Sequence, residues 1–150
     1  MIAKLVSSLE KVFLDQEPAD APGLRPEGFA NETISFQLAY CQPDNGLRGD
    51  TFCELRVESD IAAHVRLRRV VSVPVGLAIY TDADDDYLRR EAGLYPDMLV
   101  DVSRCRLRAL PGQWNSVWVD VEGAPAGEHD IALILSRAGQ DEARVSIKVN

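Results

Sequence analysis

No apolar run in the 150-residue chain approaches the roughly 20 residues needed to cross a bilayer, so no membrane-spanning helix is expected. Histidine occurs twice, at His64 and His129. The three cysteines, Cys41, Cys53 and Cys105, form no Cys-x-x-Cys pair. That scarcity argues against a zinc site and a disulfide framework, and fits buried thiols in a reducing, cytoplasmic compartment. Basic residues are also in short supply. Sixteen Lys and Arg against twenty-four Asp and Glu leave a net charge of −8. Such a surface repels phosphate backbones and anionic bilayers, so neither nucleic acid nor membrane is an expected partner. The N-terminus lacks the uninterrupted apolar segment of a secretion signal, although a leader already removed would leave the same start. No constellation of side chains identifies a reaction, and no cofactor is expected.

What is present is the composition of an ordinary globular domain, 46% apolar and 27% charged. Residues 1–150 are expected to form a single domain, long enough for a real core without staples. The organising stretch is Trp114 to Leu135. Val117, Val119 and Val121 alternate with Trp118, Asp120 and Glu122; after a turn holding Pro125 and Gly127, Ile131, Leu133 and Leu135 alternate again. Period two over both runs predicts two strands bracketing a punctuated connection.

The same period recurs along the chain. Asn31–Tyr40 places Ile34, Phe36, Leu38 and Tyr40 on a core face, with Thr33, Ser35, Gln37 and Ala39 on a polar outer face. A turn at Pro43-Asp44-Asn45-Gly46 leads to Cys53, Leu55 and Val57, and the two runs are expected to be neighbours in one antiparallel sheet. His64–Val73 reads as a strand broken by Pro74, which belongs at an edge or crossing point, and Val75–Thr81 as another. Thr81–Pro96 is a long charged connection with a short helical turn over Tyr87–Glu91. Strands follow around Cys105, Leu107 and Ala109, and over Ala143–Val149. At the start, Ile2, Leu5, Val6, Leu9, Val12 and Phe13 recur at helical spacing and favour an amphipathic helix, with a strand at Lys11–Leu14 as the alternative. Pro18, Pro22, Gly23, Pro26 and Gly28 then mark a long loop. Seven to eight strands with turns every ten residues or so specify an all-β, two-layer antiparallel sandwich, immunoglobulin-like or jelly-roll-like.

Several residues are candidates for a site. Asp82, Asp84 and Asp86 have the spacing of the first calcium ligands, but Tyr87 stands where that loop needs glycine and Gly93 where it needs its closing glutamate. A solvated acidic loop is the simpler account. Trp114, Trp118, Tyr87 and Tyr95, with Tyr80, could stack on a glycan, or fill a core. Arg66, Arg68, Arg104, Arg106 and Arg108 alternate with apolar residues, so they read as outward faces paired with Glu54, Glu58, Asp120 and Glu122. His64 and His129 have no neighbouring nucleophile in sequence, and Asp141-Glu142 reads as a solvated terminal turn. Ala132 and Ile134 are apolar opposite Ile131, Leu133 and Leu135, and Val70 and Ala78 behave similarly. A strand apolar on both faces is covered on both, which makes Ala132 and Ile134 candidates for contact with another domain or subunit. With the last strand running up to Asn150, this suggests the N-terminal part of a longer polypeptide.

Two groups of residues carry a family resemblance. Glu10-Lys11-Val12-Phe13 and Asn31-Glu32-Thr33-Ile34-Ser35-Phe36-Gln37 resemble the start of the N-terminal domain in bacterial proteins similar to glycoside hydrolase family 123. Gly93-Leu94-Tyr95-Pro96-Asp97-Met98-Leu99, Trp118-Val119-Asp120-Val121 and Pro125-Ala126-Gly127-Glu128-His129 are similar to its later landmarks, although Glu122-Gly123-Ala124 is shorter than the family's loop there. The resemblance implies a non-catalytic accessory sandwich packed against a glycosidase barrel, with N-acetylgalactosaminides as the family's characterised substrates. It also implies that Lys4–Phe13 is a strand. The family's adjacent Asp-Glu pair, acting by substrate assistance, lies in the barrel. A (β/α)₈ barrel takes about 250 residues, so no catalytic residue carries over and Asp141-Glu142 is not that pair. The expected partner is therefore a C-terminal catalytic domain or another subunit, with a glycan as a further candidate. The rival readings are a stand-alone carbohydrate-binding module and a self-associating structural domain.

Overall fold

The computed structural model describes residues 1–29, 31–44, 51–76, 87–102 and 106–150. Among them are nine strands, one three-residue 3-10 turn over Ala62–His64, and no α-helix. The strands are β1 (Ile2–Ser7), β2 (Thr33–Cys41), β3 (Thr51–Glu58), β4 (Val65–Val75), β5 (Gly93–Asp101), β6 (Arg106–Ala109), β7 (Trp114–Glu122), β8 (His129–Arg137) and β9 (Gln140–Val149). They form a five-stranded sheet in the order β1-β2-β7-β4-β5 and a four-stranded sheet in the order β6-β3-β8-β9. All strand pairings are antiparallel. The two-layer sandwich read from the alternation is what the chain forms.

The core lies between the sheets. Phe36, Leu38, Tyr40, Val117, Val119 and Val121 come from one side and Leu55, Leu107, Ile131, Leu133, Leu135 and Ile147 from the other. β7 is the middle strand of the larger sheet and β8 an interior strand of the smaller one. Residues 123–128 therefore arch from one layer to the other, with Gly123 (φ 60°) and Gly127 (φ 135°) in backbone conformations that side chains resist. The β8–β9 connection is a tight turn at Ala138 (φ 49°) and Gly139 (φ 78°).

Five expectations are corrected. The opening segment is strand β1, not a helix, and it stops at Ser7; Lys11–Leu14 is irregular and Lys4–Phe13 is strand only in its first half. Leu5 faces the main core while Val6 joins a second cluster with Val12, Ala39, Cys41 and Trp114, and that two-sided burial imitates helical spacing. β2 and β3 lie in different sheets, because β2 pairs with β1 and β7 and β3 with β6 and β8. β4 runs through Pro74. Its pairing with β7 ends at Arg69, so Pro74 has a partner strand only in β5, and a missing donor is tolerated on the unpaired side. No helical turn forms at Tyr87–Glu91, and a strand, β5, begins at Gly93 inside the expected connection. Asp141 and Glu142 belong to strand β9, where they ion-pair with Arg56 and Arg137. The strand expected at Val75–Thr81 lies, beyond its first two residues, outside the described residues, as do Asn45-Gly46 of the expected turn.

Candidate functional site

The feature that sequence reasoning missed is a third layer. The chain leaving β1 folds back over the outer face of β1, β2 and β7. The Gln37 side chain donates to the carbonyls of Ser7 (3.0 Å) and Glu10 (2.8 Å) and accepts from the Ser116 hydroxyl (3.0 Å). The Trp114 amide donates to Leu14 (2.9 Å). Gln37 and Ala39, which alternation assigned to solvent, are buried, and so are Cys41, Trp114 and Ser116. Polar side chains at Gln37 and Ser116 survive there because each finds a partner.

Further along the same face the cover ends and the sheet opens into a groove of 240 Å³. Trp118, Val70 and Leu99 make its floor, and Leu9, Lys11 and Asp97 stand at its edges. The rim is partly apolar, since Leu9 is 93% exposed and Leu88, near the same segment, 75%. Under Trp118 lies a polar knot. Asp120, 2% exposed at its side chain, accepts from the Ser35 hydroxyl (2.7 Å) and the Trp118 indole (2.8 Å) and forms an ion pair with Arg68. The indole N–H is thus occupied, and only the ring's apolar surface is offered to the groove.

The aromatic candidates separate. Trp114 is buried beneath Lys4, whose ammonium sits 5.4 Å from the ring centroid, so it offers no face to a ligand. Tyr95 packs edge-on against Phe13 (5.5 Å between centroids), which also carries the Arg89 guanidinium at 3.7 Å from its ring. Arg89 pairs with Asp15 (2.7 Å) and holds that carboxyl below its usual range. Tyr87 is half-exposed in the loop before β5. Of the four candidate rings among the described residues, Trp118 alone lines this groove, and Tyr80 lies outside them.

Ala132 and Ile134 are also placed with an unexpected neighbour. Both are buried, Ile134 fully. Register puts Arg56 and Arg144 on either side of Ile134, and Glu58 beside Ala132. Glu58 pairs with Arg56 (3.1 Å) and Arg144 (2.9 Å), and Arg56 with Asp141 (3.3 Å). The two arginines thus flank Ile134 across the ladder, and their charged ends meet at Glu58. These two residues complete their burial within the chain, and a partner meeting this face would meet the ion-pair lattice. Of the arginines read as outward and ion-paired, Arg68 pairs with Asp120 as expected, while Arg104 lies outside the described residues. Arg66 pairs with Asp101 (2.9 Å) and approaches Glu122 (4.0 Å), and Arg106 sits 4.2 Å over the Phe52 ring.

One cluster has the residue types of nucleophilic catalysis. Ser59 donates to Asp60 (3.3 Å), and Asp60 contacts His129 Nδ1 (2.9 Å). In a working triad the histidine stands between the hydroxyl and the acid. Here the acid stands in the middle, the other ring nitrogen, Nε2, is 3.1 Å from the Pro125 carbonyl, and Asp60 is well exposed. The serine therefore has no base. His64 Nδ1 donates to the Glu122 carbonyl (3.0 Å) and has no acidic partner in that bond. Among the described residues no group of three His, Cys, Asp or Glu could hold a metal; Asp82, Asp84 and Asp86 lie outside them. No helix among the described residues is long and apolar enough to cross a membrane.

No protein-family model matches the chain, and no curated protein does. Solved structures do. The chain is similar to a family 123 glycoside hydrolase from Clostridium perfringens, studied for glycolipid glycan hydrolysis, with a TM-score of 0.70 at 7% identity. What is shared is the fold. The likeness takes in 98% of this chain but 26% of that enzyme, so the chain spans about a quarter of its length. The N-terminal domain of PorA is a looser likeness, with a TM-score of 0.43 at 9% identity over 99% of this chain and 96% of that one.

Proposed function

We propose that the chain is a non-catalytic accessory sandwich of a glycoside hydrolase-like polypeptide, and that it packs against and supports a catalytic barrel elsewhere in that protein. One observation carries the reading: nearly the whole chain follows the fold of a minor part of a family 123 glycoside hydrolase. The groove at Trp118, with its apolar rim at Leu9, is the surface best suited to meet a second domain. The test has two parts. Purified chain is incubated with aryl N-acetylhexosaminides, and no turnover is expected; hydrolysis by this chain would overturn the reading. The coding sequence beyond Asn150 is then read, where a continuation of about 250 residues is expected and a stop codon counts against it.

The groove favours a second reading, a carbohydrate-binding module acting through Trp118. A ring on its floor beside Lys11 and Asp97 supplies a stacking surface with polar neighbours. Titration with N-acetylhexosamine oligosaccharides while following tryptophan emission separates the readings. Trp114 is buried, so a saturable change that Trp118→Phe abolishes supports binding, and a flat response removes it. A self-associating domain would show as a dimer in sedimentation, and a monomer at high concentration removes that third reading.

A further inference from the structure

The arch between the two sheets is held by an unusual histidine. His129 opens β8 with its side chain 13% exposed, and both ring nitrogens face oxygen acceptors: Nδ1 the Asp60 carboxylate at 2.9 Å, Nε2 the Pro125 carbonyl at 3.1 Å. A carboxylate and a carbonyl have no hydrogen to give. A neutral imidazole donates through one nitrogen only, so both bonds form together only when the ring is doubly protonated. The two acceptors come from different elements. Asp60 lies in the connection between β3 and β4, and Pro125 in the arch itself. We propose that His129 is a proton-held clasp, tying the 123–128 arch to the β3–β4 connection while it is an imidazolium and releasing one of the two when it loses that proton.

The surroundings support the charged form. Its carboxylate partner is Asp60; Glu32, from the segment before β2, lines the same hollow, while Glu128 of the arch and Lys148 of β9 are engaged with each other at 2.5 Å, with Arg25 acting on that pair and Asp130 of β8 on Lys148. The Asp60 hydrogen bond first, then that of Pro125, raise the His129 pKa above its ordinary value. A group raised in the folded state adds stability in full below its unfolded pKa, about 6.5, and loses it as pH rises through the folded value. The clasp is therefore shut in mildly acid solution and opens toward the alkaline side. Opening bears on a hollow of 110 Å³ that His129 lines together with Pro125, Gly127, Phe29 and Ile34. Release of the arch frees one wall of that hollow and the Pro125 carbonyl.

The experiment follows the imidazole nitrogens of the whole chain by ¹⁵N-resolved NMR from about pH 5 to about pH 9, the range in which a histidine changes charge. His129 is expected to hold protons on both nitrogens at the acid end and to titrate above the ordinary histidine value. In Asp60→Asn the midpoint is expected to fall back toward that value. Thermal unfolding of the wild type is expected to lose stability across the same pH interval, and His129→Gln to lose that dependence. A ring that titrates at or below the ordinary value overturns the proposal, and so does a thermal profile that His129→Gln leaves unchanged. If His129→Gln does not fold, the titration and its response to Asp60→Asn decide alone.

Discussion

Asp120 shows how a single position carries more than its place in a pattern. Alternation assigned it to solvent, yet its carboxylate is buried among a hydroxyl, an indole and a guanidinium. Asp120→Ala would orphan three donors and leave Arg68, a quarter exposed, without its counter-ion. We expect a loss of about 2–3 kcal/mol in urea unfolding, since unpaired buried partners cost more than the bonds are worth. Ser35→Ala removes one neutral bond and is expected to cost about 1 kcal/mol in the same assay. The inward residues of this sheet were legible, because Phe36, Leu38, Val117 and Val119 alternate strictly and all reach the core. Its outward residues were not. Their burial depends on a segment about thirty positions from β2 and about a hundred from β7, and a period-two pattern holds no record of what lies on top of it.

At the level of strands, β8 makes the same point from the other sheet. Ala132 and Ile134 were legible as apolar on the face opposite the core, and both are buried within the chain itself. Their neighbours were not legible, because alternation does not say that register sets Arg56 and Arg144 on either side of Ile134. Ile134→Ala is expected to cost about 2–4 kcal/mol in denaturant unfolding of the isolated chain, as a core position would. A cost under about 0.5 kcal/mol would mean that the flanking arginines leave Ile134 in water. β1 and β5 were hidden for different reasons. β1 buries both Leu5 and Val6, and β5 keeps Leu94, Met98 and Val100 partly exposed, so neither shows a clean one-sided pattern. Pro74 and Pro96 sit in paired strands where a sequence reader expects breaks, and both lie in the β4–β5 ribbon at the margin of its sheet.

For the molecule as a whole, the count of the cysteines anticipated their state better than their positions did. Cys41 and Cys53 are buried free thiols, and burial pushes the Cys53 thiol up to about 11. Neither should react with iodoacetamide at neutral pH while the chain is folded, because the thiolate is the reactive form. Peptide mapping before and after unfolding checks this, and rapid native labelling at either site would contradict the fold. The sandwich itself was legible from the number and spacing of strands. The partition of strands between layers was not, since β2 and β3 are consecutive in sequence yet lie on opposite sides of the core.

That partition has a consequence for how the protein is made. Until Trp114 has left the ribosome, the strands available can pair only as three separate ribbons, β1 with β2, β4 with β5, and β3 with β6. Two-stranded ribbons are marginal in water. β7 joins the first two into one layer and β8 binds the third, so neither layer can close before residues 114–137 are synthesised. The strands before Trp114 must therefore wait, with open edges, for β7 and β8 to arrive, and a nascent chain stalled at residue 113 should be a ready client for a holdase.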